Sequence, residues 1–356
     1  MSTFRLAISI GSRKTGSLLN NKLLYKMHYT KQPITYGGLT AGPEQKVSGW
    51  VSVPGTDYKL PVTVINGSKA GKSVLITSAI HGCEYPSIEA VFRLAENIEP
   101  QDVAGQIIII NPVNVDGFLE RRPYIIPQDG KNLNRLFPGN HEGTLGDKIA
   151  YFLTEEFQKR VDFHIDTHGG DIPEKQLAYV YYPGVSDDTE ALRISEEATD
   201  YVLHADFVIK SHATNHAYTY AAICGVPSIE LELGDCTTWS EEEVALYLEN
   251  IKNVLRYLQV LQGVAVKRTA PIKRITKGEY LDADASGRWY ACVTSEDKVR
   301  EGQKLGEIRD LFGNVLHEYY AKFDGVVLMV VATLAIKKAI RLLLTEIKKP
   351  LTPQIL

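Results

Sequence analysis

A histidine and a glutamate three residues apart follow the apolar run VLITSAI, where a buried strand is expected to end. These residues, His81 and Glu84, lie in the segment HGCE. A second histidine, His168, comes directly after another strand-like run, VDFHIDT. Two imidazoles and one carboxylate, with a fourth position left to water, form a catalytic zinc site. Zinc held in this way lowers the pKa of a water molecule from ~16 towards ~7 and polarises a carbonyl group.

The placement of these residues supports a shared ion, because ligands of open α/β sheets gather at the carboxyl ends of the strands. The short spacing between His81 and Glu84 lets one turn of chain present both side chains to one ion. The alternative is that the pair is ordinary polar sequence before a helix, since such pairs are common. Ligand type alone does not separate zinc from other divalent ions.

Hydrolysis of an amide also needs a general base, which takes a proton from water and passes it to the leaving nitrogen. The segment VPSIELELGD supplies two carboxylates, Glu230 and Glu232, near the end of a further strand. They are two residues apart and so face the same side of that strand. A carboxylate in so apolar a run is costly to bury without a partner or a use. Glu232, closer to the strand end, is the preferred base; a salt bridge inside the domain is the alternative.

A long polar loop, residues 111–139, separates the first two ligands from the third. Long ordered loops of this kind are usually functional. Arg135, beside Asn134, could hold a substrate carboxylate through two parallel hydrogen bonds. Arg121 or Arg122 could polarise the scissile carbonyl. The alternative is that these arginines fix the loop through contacts with backbone carbonyls.

Metal-bound histidines usually donate their second N–H to a carboxylate or carbonyl group. Asp166 and Asp171 flank His168, and Asp166 shares its strand face. A role as a turn or capping residue is an equal alternative for each. His212 and His216 could line the pocket before the Glu232 strand.

The elements that position these residues follow an alternating pattern. VLITSAI and IIII (107–110) are continuous apolar runs, as expected of strands covered on both faces. Helical spacing of apolar residues follows in 86–95, 144–159 and 188–203, and Ser240 with Glu243 forms a capping box before a long helix. Residues 47–65 resemble a hairpin around PGTD. The pattern predicts an α/β domain whose mostly parallel or mixed sheet lies between helices.

Length and composition set the wider limits. The 356 residues suggest two or three domains, and 44% hydrophobic with 23% charged residues predicts a packed core. A net charge of −4 offers no basic face for nucleic acid. The four cysteines are scattered, which is typical of reduced thiols in a cytoplasmic protein. No apolar run reaches the length of a membrane span, so a membrane partner is not expected.

Three regions are predicted along the chain. Residues 1–45 form an N-terminal extension, residues 46–265 the catalytic domain and residues 270–356 a small, mainly β domain. KRTAPIKR (267–274) resembles a linker between the last two. The tail AIKKAIRLLLTEIKK has spacing that also suits a helix, so its structure stays open.

Four segments, HGCE, NLNRLFPG, DTHGGD and ELELGD, occur in this order. Together they resemble the succinylglutamate desuccinylase/aspartoacylase family, which is related to the zinc carboxypeptidases. The resemblance covers 46–265, and the following region resembles the family's biotinyl/lipoyl-like C-terminal domain. It implies a zinc-carboxypeptidase-like central mixed sheet flanked by helices. It also implies hydrolysis of the amide of an N-acyl amino acid, a small-molecule substrate, with a possible homo-oligomer.

The resemblance also implies roles for individual residues. His81, Glu84 and His168 would bind one zinc ion per chain. Glu232, the glutamate of the ExG pattern, would be the base and proton shuttle.

The substrate side is implied less evenly. Asn134 and Arg135 match the family's pair that binds the substrate carboxylate. The family's preceding arginine matches Arg121 or Arg122, with Arg122 favoured as the group that supports the developing oxyanion. Two other functions remain: a carboxypeptidase acting on short peptides, and a ligand-binding protein without catalysis.

Overall fold

Strands and helices alternate through the middle of the chain, and from residue 273 onward the regular elements of the described part are strands. A computed structural model describes residues 32–269, 273–275 and 278–347. In chain order, its strands are β1 (Ile34–Tyr36), β2 (Leu39–Ala41), β3 (Gln45–Ser52), β4 (Lys59–Asn66), β5 (Lys69–Ser78), β6 (Ala104–Ile110), β7 (Phe163–His168), β8 (Glu174–Gln176), β9 (Tyr179–Pro183), β10 (Phe207–Ser211), β11 (Ser228–Glu232), β12 (Lys273–Ile275), β13 (Gly278–Asp282), β14 (Gly287–Ala291), β15 (Lys298–Val299), β16 (Lys304–Arg309), β17 (Val315–Tyr320), β18 (Gly325–Val331), β19 (Ala335–Ile336) and β20 (Arg341–Ile347). The α-helices are α1 (Tyr85–Asn97), α2 (Val115–Glu120), α3 (Leu145–Phe152), α4 (Thr189–Ala198), α5 (Ala217–Ile223) and α6 (Glu241–Tyr257).

Nine strands form one large sheet in the order β12-β10-β9-β11-β7-β5-β6-β4-β3. Its centre, β11-β7-β5-β6, is parallel, while β9 runs antiparallel to β11 and β4 antiparallel to β6. The predicted mixed sheet is therefore confirmed. The strand β9 was not predicted, and neither were β8, α2 and α5.

Apolar residues fill both faces of the central strands. In β5, Val74 and Ile76 join α1 and α6 in one core, whereas Leu75 faces the other core with α3 and α5. This alternation explains the continuous apolar runs, because each face of the strand meets a layer of helices. The face that carries Leu75 turns polar towards the strand ends, where Thr77 follows at the next position on that face.

The helices agree with the predicted patterns at their starts more closely than at their ends. The Ser240 hydroxyl accepts a hydrogen bond from the Glu243 N–H at 3.2 Å, which caps α6 as predicted. The pattern over 144–159 yields α3 followed by a π-helical turn, Leu153–Phe157. Within the described part of the chain, every helix is too short or too polar to cross a lipid bilayer.

The predicted hairpin of residues 47–65 consists of β3 and β4, which pair along their whole length. Within the predicted N-terminal extension, β1 and β2 form a small hairpin, and Tyr36 stacks on Phe157 of the main body. Residues 1–31 lie outside the described part.

After residue 278 the chain forms two further sheets around a separate apolar core that includes Trp289, Ile308 and Leu342. The tail that left helix and strand open, residues 335–349, forms β19 and β20 as far as residue 347, and residues 348–356 lie outside the described part. The strand structure follows from pairing: β20 lies between β13 and β18.

The two parts exchange strands. β8, which belongs by sequence to the catalytic region, pairs with β18 of the smaller sheet. In the opposite direction, β12 lies within the predicted 270–356 domain but adds to the edge of the large sheet beside β10. An apolar cluster that includes Tyr181, Leu328 and Met329 fills the contact. The sheets therefore do not divide at a single point near residue 270.

Candidate active site

Polar side chains collect where β5, β7 and β11 end. The register places Thr77, Asp166 and Glu230 side by side, and His168 next to Glu232 one step further along. Residues opposite one another in a parallel sheet share a face, so these side chains point to the same side. Four of these residues are buried, namely Thr77, Asp166, His168 and Glu230. Glu232 is half-buried at the strand end.

His81, Glu84 and His168 form the centre of this group. Their exposed fractions are 8%, 2% and 1%, and their candidate ligand atoms all lie within 4.8 Å of one another. His81 Nδ1 is 2.8 Å from Glu84 Oε1, and His168 Nδ1 is 3.0 Å from Glu84 Oε2. The sequence-predicted ligand trio is thus brought together from a loop, a helix start and a strand end.

The tautomer of His168 follows from its second nitrogen. His168 Nε2 lies 3.3 Å from Asp166 Oδ2 and 3.6 Å from Glu230 Oε2. An ionised carboxylate only accepts hydrogen bonds, so Nε2 carries the proton and donates it to Asp166. A histidine that binds a metal is neutral, so in a metal-loaded site the lone pair of His168 would lie on Nδ1, 3.0 Å from Glu84 Oε2.

The Nε2 atom of His81 is also a hydrogen-bond donor, but its partner is an amide oxygen. Its Nε2 lies 3.0 Å from Asn132 Oδ1, which also accepts a hydrogen bond from the Asn134 N–H at 2.9 Å. The N–H fixes the Asn132 oxygen as the atom that faces the imidazole, so His81 Nε2 is the donor. In a metal-loaded site the lone pair of His81 would therefore also lie on Nδ1, the atom that faces Glu84.

These residues fit a divalent cation. Glu84 Oε2 is buried without a hydrogen-bond donor, although His168 Nδ1 approaches it closely. Two Nδ1 atoms and a buried carboxylate that all face one point are suited to a shared positive charge. The pKa of His168 shows the same demand: burial lowers it, but Glu84, Asp166 and Glu230 raise it well above its usual range.

The two candidate bases differ in surroundings. Glu230 Oε2 accepts a hydrogen bond from Asn134 Nδ2 at 3.0 Å, and burial, with the nearby Asp166 charge, raises its pKa to about 7. Glu232 Oε2 accepts one from Gln176 Nε2 at 3.2 Å, and burial raises its pKa well above the usual range. Glu232 has the freer carboxylate and lies opposite His168 at the strand end.

Residues 70–258, more than half of the chain, match the family model described as the succinylglutamate desuccinylase/aspartoacylase catalytic domain. The chain belongs to the succinylglutamate desuccinylase/aspartoacylase family. The product-bound structure of the ectoine utilization protein EutE (DoeB) from Ruegeria pomeroyi has a TM-score of 0.78 at 22% identity, over 90% of this chain and 100% of that one. This likeness confirms the predicted zinc-carboxypeptidase-like fold and the small C-terminal β region.

Two relatives of the family are similar in sequence. The chain is 25% identical over 321 residues to the N-alpha-acetyl-L-2,4-diaminobutyric acid deacetylase of Halomonas elongata, covering 88% of this chain and 92% of that protein. It is 26% identical over 216 residues to the succinylglutamate desuccinylase of Pseudomonas aeruginosa, covering 57% of this chain and 61% of that protein.

Asn134 and Arg135, the predicted substrate pair, lie beside the centre but are not equally free. The Asn134 amide is buried, donates to Glu230 and accepts the Ala217 N–H at 2.9 Å, so its contacts here are internal. Arg135 is exposed and donates from Nη1 to the Asn134 carbonyl at 2.7 Å. The Arg135 charge lowers the pKa of Glu230 and the pKa of His216. The structure places His216 at the same edge of the site.

The structure does not bring Arg122 into this group. Its side chain is 60% exposed, and its Nε lies 3.4 Å from Glu120 Oε2. Arg121 adopts a left-handed backbone with φ of 57° at the end of α2, and its charge lowers the pKa of Cys83, which burial raises. Of the two arginines, the structure therefore places Arg121, and not the favoured Arg122, near the HGCE turn.

Several residues at the site were not predicted. Asn132 holds His81, and Gln176, on β8, holds Glu232. Tyr124 packs edge-on against His81 with ring centroids 5.9 Å apart. Asn132 stands two residues before the predicted Asn134, but Gln176 and Tyr124 carry no motif, and only the folded chain brings them to the site.

Proposed function

We propose that this chain is a zinc-dependent hydrolase that cleaves the amide bond of an N-acyl amino acid. The observation that carries the proposal is the common focus of His81, Glu84 and His168, which are all buried and whose candidate ligand atoms lie within 4.8 Å of one another. Membership of a family whose relatives include a deacetylase and a desuccinylase supports the reaction class.

The ligand trio would hold zinc, which when bound polarises a carbonyl oxygen and makes water more acidic. Glu232 then accepts the proton of the attacking water and delivers it to the leaving nitrogen. Its raised pKa suits this exchange, because a group that is too acidic passes a proton on poorly. Gln176 orients the Glu232 carboxylate through one oxygen and leaves the other free.

The charges around the site favour a substrate that carries an amino group. Asp171 and Glu174 lie beside His81, and the described residues form no salt bridge with either carboxylate. Burial raises the pKa of Asp171 to about 6 and of Glu174 to about 7. Both carboxylates accept backbone N–H groups, at 2.7 and 2.8 Å for Asp171 and 3.1 Å for Glu174, and a substrate ammonium group would add the positive charge that these N–H groups do not carry. We therefore expect an N-acetylated diamino acid to be cleaved in preference to succinylglutamate.

The test is a panel of N-acetyl and N-succinyl amino acids, with N-acetyl-2,4-diaminobutyrate included, assayed for released amine. Treatment with a chelator should abolish turnover, and added zinc should restore it. A pentapeptide serves as the comparison for the carboxypeptidase alternative. Equal rates on the pentapeptide and on N-acetyl amino acids would favour that alternative, and ligand binding without any turnover would favour a non-catalytic protein.

Substitution at the base separates the two carboxylates of β11. Glu232→Gln should keep zinc but lose ~10²–10⁴-fold in kcat, the usual contribution of general acid–base catalysis. Glu230→Gln, two residues earlier on the same strand face, is the matched variant, and we expect a smaller loss. If Glu232→Gln keeps full turnover, Glu232 is not the base.

A further inference from the structure

A row of buried polar groups lies beneath the candidate metal centre, deeper in the sheet. It runs from Gln158 through His164 and Thr77 to Asp166, and their exposed fractions lie between 0% and 1%. Polar groups this deep are stable only when each is hydrogen-bonded. Of these four residues, only Asp166 has a role at the candidate metal centre, as the acceptor for His168 Nε2. The other three need an explanation.

The direction of the hydrogen bonds can be assigned from Asp166. Its carboxylate only accepts, and Thr77 Oγ1 donates to Asp166 Oδ1 at 2.6 Å. A hydroxyl has one proton, so Thr77 Oγ1 must accept at its 2.7 Å contact with His164 Nε2. His164 therefore carries a proton on Nε2.

The far end of the row agrees with this direction. Gln158 Nε2 donates to the Ala217 carbonyl at 2.9 Å, which fixes the orientation of its amide. The same nitrogen lies 3.5 Å from His164 Nδ1, which is thus left as an acceptor. Burial lowers the pKa of His164 to about 4, so the ring is neutral near pH 7 and has one proton to place.

We propose that Thr77 and His164 are positioning residues that fix which nitrogen of His168 faces the metal. Thr77 occupies Asp166 Oδ1 and leaves Oδ2 for the Nε2–H of His168. His164 holds the Thr77 hydroxyl in the donating orientation, since its Nε2–H takes the acceptor side of that oxygen. The inference rests on the proposed function, because it concerns the ligand that His168 provides.

The experiment compares two buried threonines on neighbouring strands. Thr77→Val removes the hydroxyl with little change of shape, and Thr77→Ser keeps it. Thr167→Val is the matched control: Thr167 is also fully buried, and its hydroxyl donates to the Thr77 carbonyl at 2.9 Å, away from Asp166. Zinc affinity is measured by competition with a chelating dye, and the melting temperature of zinc-free protein is measured in parallel.

We expect Thr77→Val to weaken zinc binding about tenfold, at the low end for residues that orient a ligand from outside. Thr167→Val should bind zinc as the unaltered protein does, and Thr77→Ser should stay close to it. A purely structural role would lower the melting temperature of both valine variants and leave both zinc affinities unchanged, and that result would overturn the inference.

A second pair of variants covers the case in which Thr77→Val does not fold. His164→Gln retains an N–H donor for Thr77 and should keep zinc affinity, whereas His164→Leu removes it and should lose about tenfold. Equal zinc affinity in these two would also contradict the inference. If the unaltered protein binds no zinc, the proposed function fails instead, and the two failures are thereby distinguished.

Discussion

The Nε2 atoms of the two site histidines are held by different parts of the molecule. The sheet half of the site consists of His168, Asp166 and Thr77, all on the central strands β5 and β7. The loop half consists of His81 and Asn132, both outside regular strands and helices. A buried carboxylate orients the first ring, whereas a half-buried neutral amide orients the second.

The loop half depends on special backbone conformations that the sheet half does not use. Ala79 precedes His81 by two residues, and Tyr124 packs against the His81 ring. These two residues have left-handed φ values of 57° and 60°. Such conformations cost roughly 1–3 kcal/mol and persist only where the surroundings fix them. Sites built on strands hold their geometry more closely than sites on loops. We therefore expect the sheet half to determine where a metal ion would lie and the loop half to complete its ligand set.

The largest effect is expected at Glu84, where the two halves meet. Glu84→Gln removes the carboxylate whose two oxygens face both Nδ1 atoms, so zinc binding should fall by more than the ~10–100-fold typical of an orienting residue. Metal content after dialysis measures this. Glu89→Gln, one turn along α1 and bonded to Arg93, is the control and should retain zinc. Zinc retained at full stoichiometry in Glu84→Gln would remove Glu84 from the ligand set.

The next effect compares the two orienting partners directly. Asp166→Asn removes a buried charge from the sheet half and should weaken zinc binding by about 100-fold. Asn132→Ala should cost about tenfold, because the amide is neutral and water can replace it at a half-buried position. Zinc titrations of both variants at one pH measure the difference. A larger loss in Asn132→Ala would reverse the assignment of the two halves.

The residues of the site that the sequence predicted can be sorted by the same division into a sheet half and a loop half. The runs VLITSAI and VDFHIDT carry their own signal, since continuous apolar strands must lie between helix layers. His168 and Asp166 could therefore be placed from spacing alone. His81 and Glu84 could be placed because they directly follow such a run. The small C-terminal β region was also predicted, although its tail fits a strand only once β13 and β18 pair with it.

The residues that sequence reasoning missed depend on contacts between distant segments. Gln176 contacts Glu232 from β8, which pairs with β18 of the smaller sheet. The paired residues of β8 and β18 are more than 150 positions apart in the chain. The family resemblance left Arg121 and Arg122 as adjacent matches, with Arg122 favoured, and the left-handed turn at the end of α2 affects where each side chain points. Spacing in a loop does not fix direction, whereas spacing in a strand does.

The smallest effect tests whether the candidate base Glu232 depends on the C-terminal region. Gln176 takes its position from β18, through the pairing of Gln176 with Met329, and accepts a hydrogen bond from the Tyr179 hydroxyl at 3.0 Å. Gln176→Leu should lower kcat about fivefold, which corresponds to ~1 kcal/mol for one hydrogen bond, and should leave zinc affinity unchanged.

Lys175→Leu is the control for this change, because Lys175 lies on the same strand, is exposed and faces away from Glu232. Steady-state kinetics with N-acetyl amino acids, together with zinc titration, separates the two variants. Equal kcat in both would mean that the large sheet alone orients Glu232. A fall in kcat confined to Gln176→Leu would instead mean that β8 transmits the packing of the smaller sheet to the base, so that the site is built from both parts of the chain.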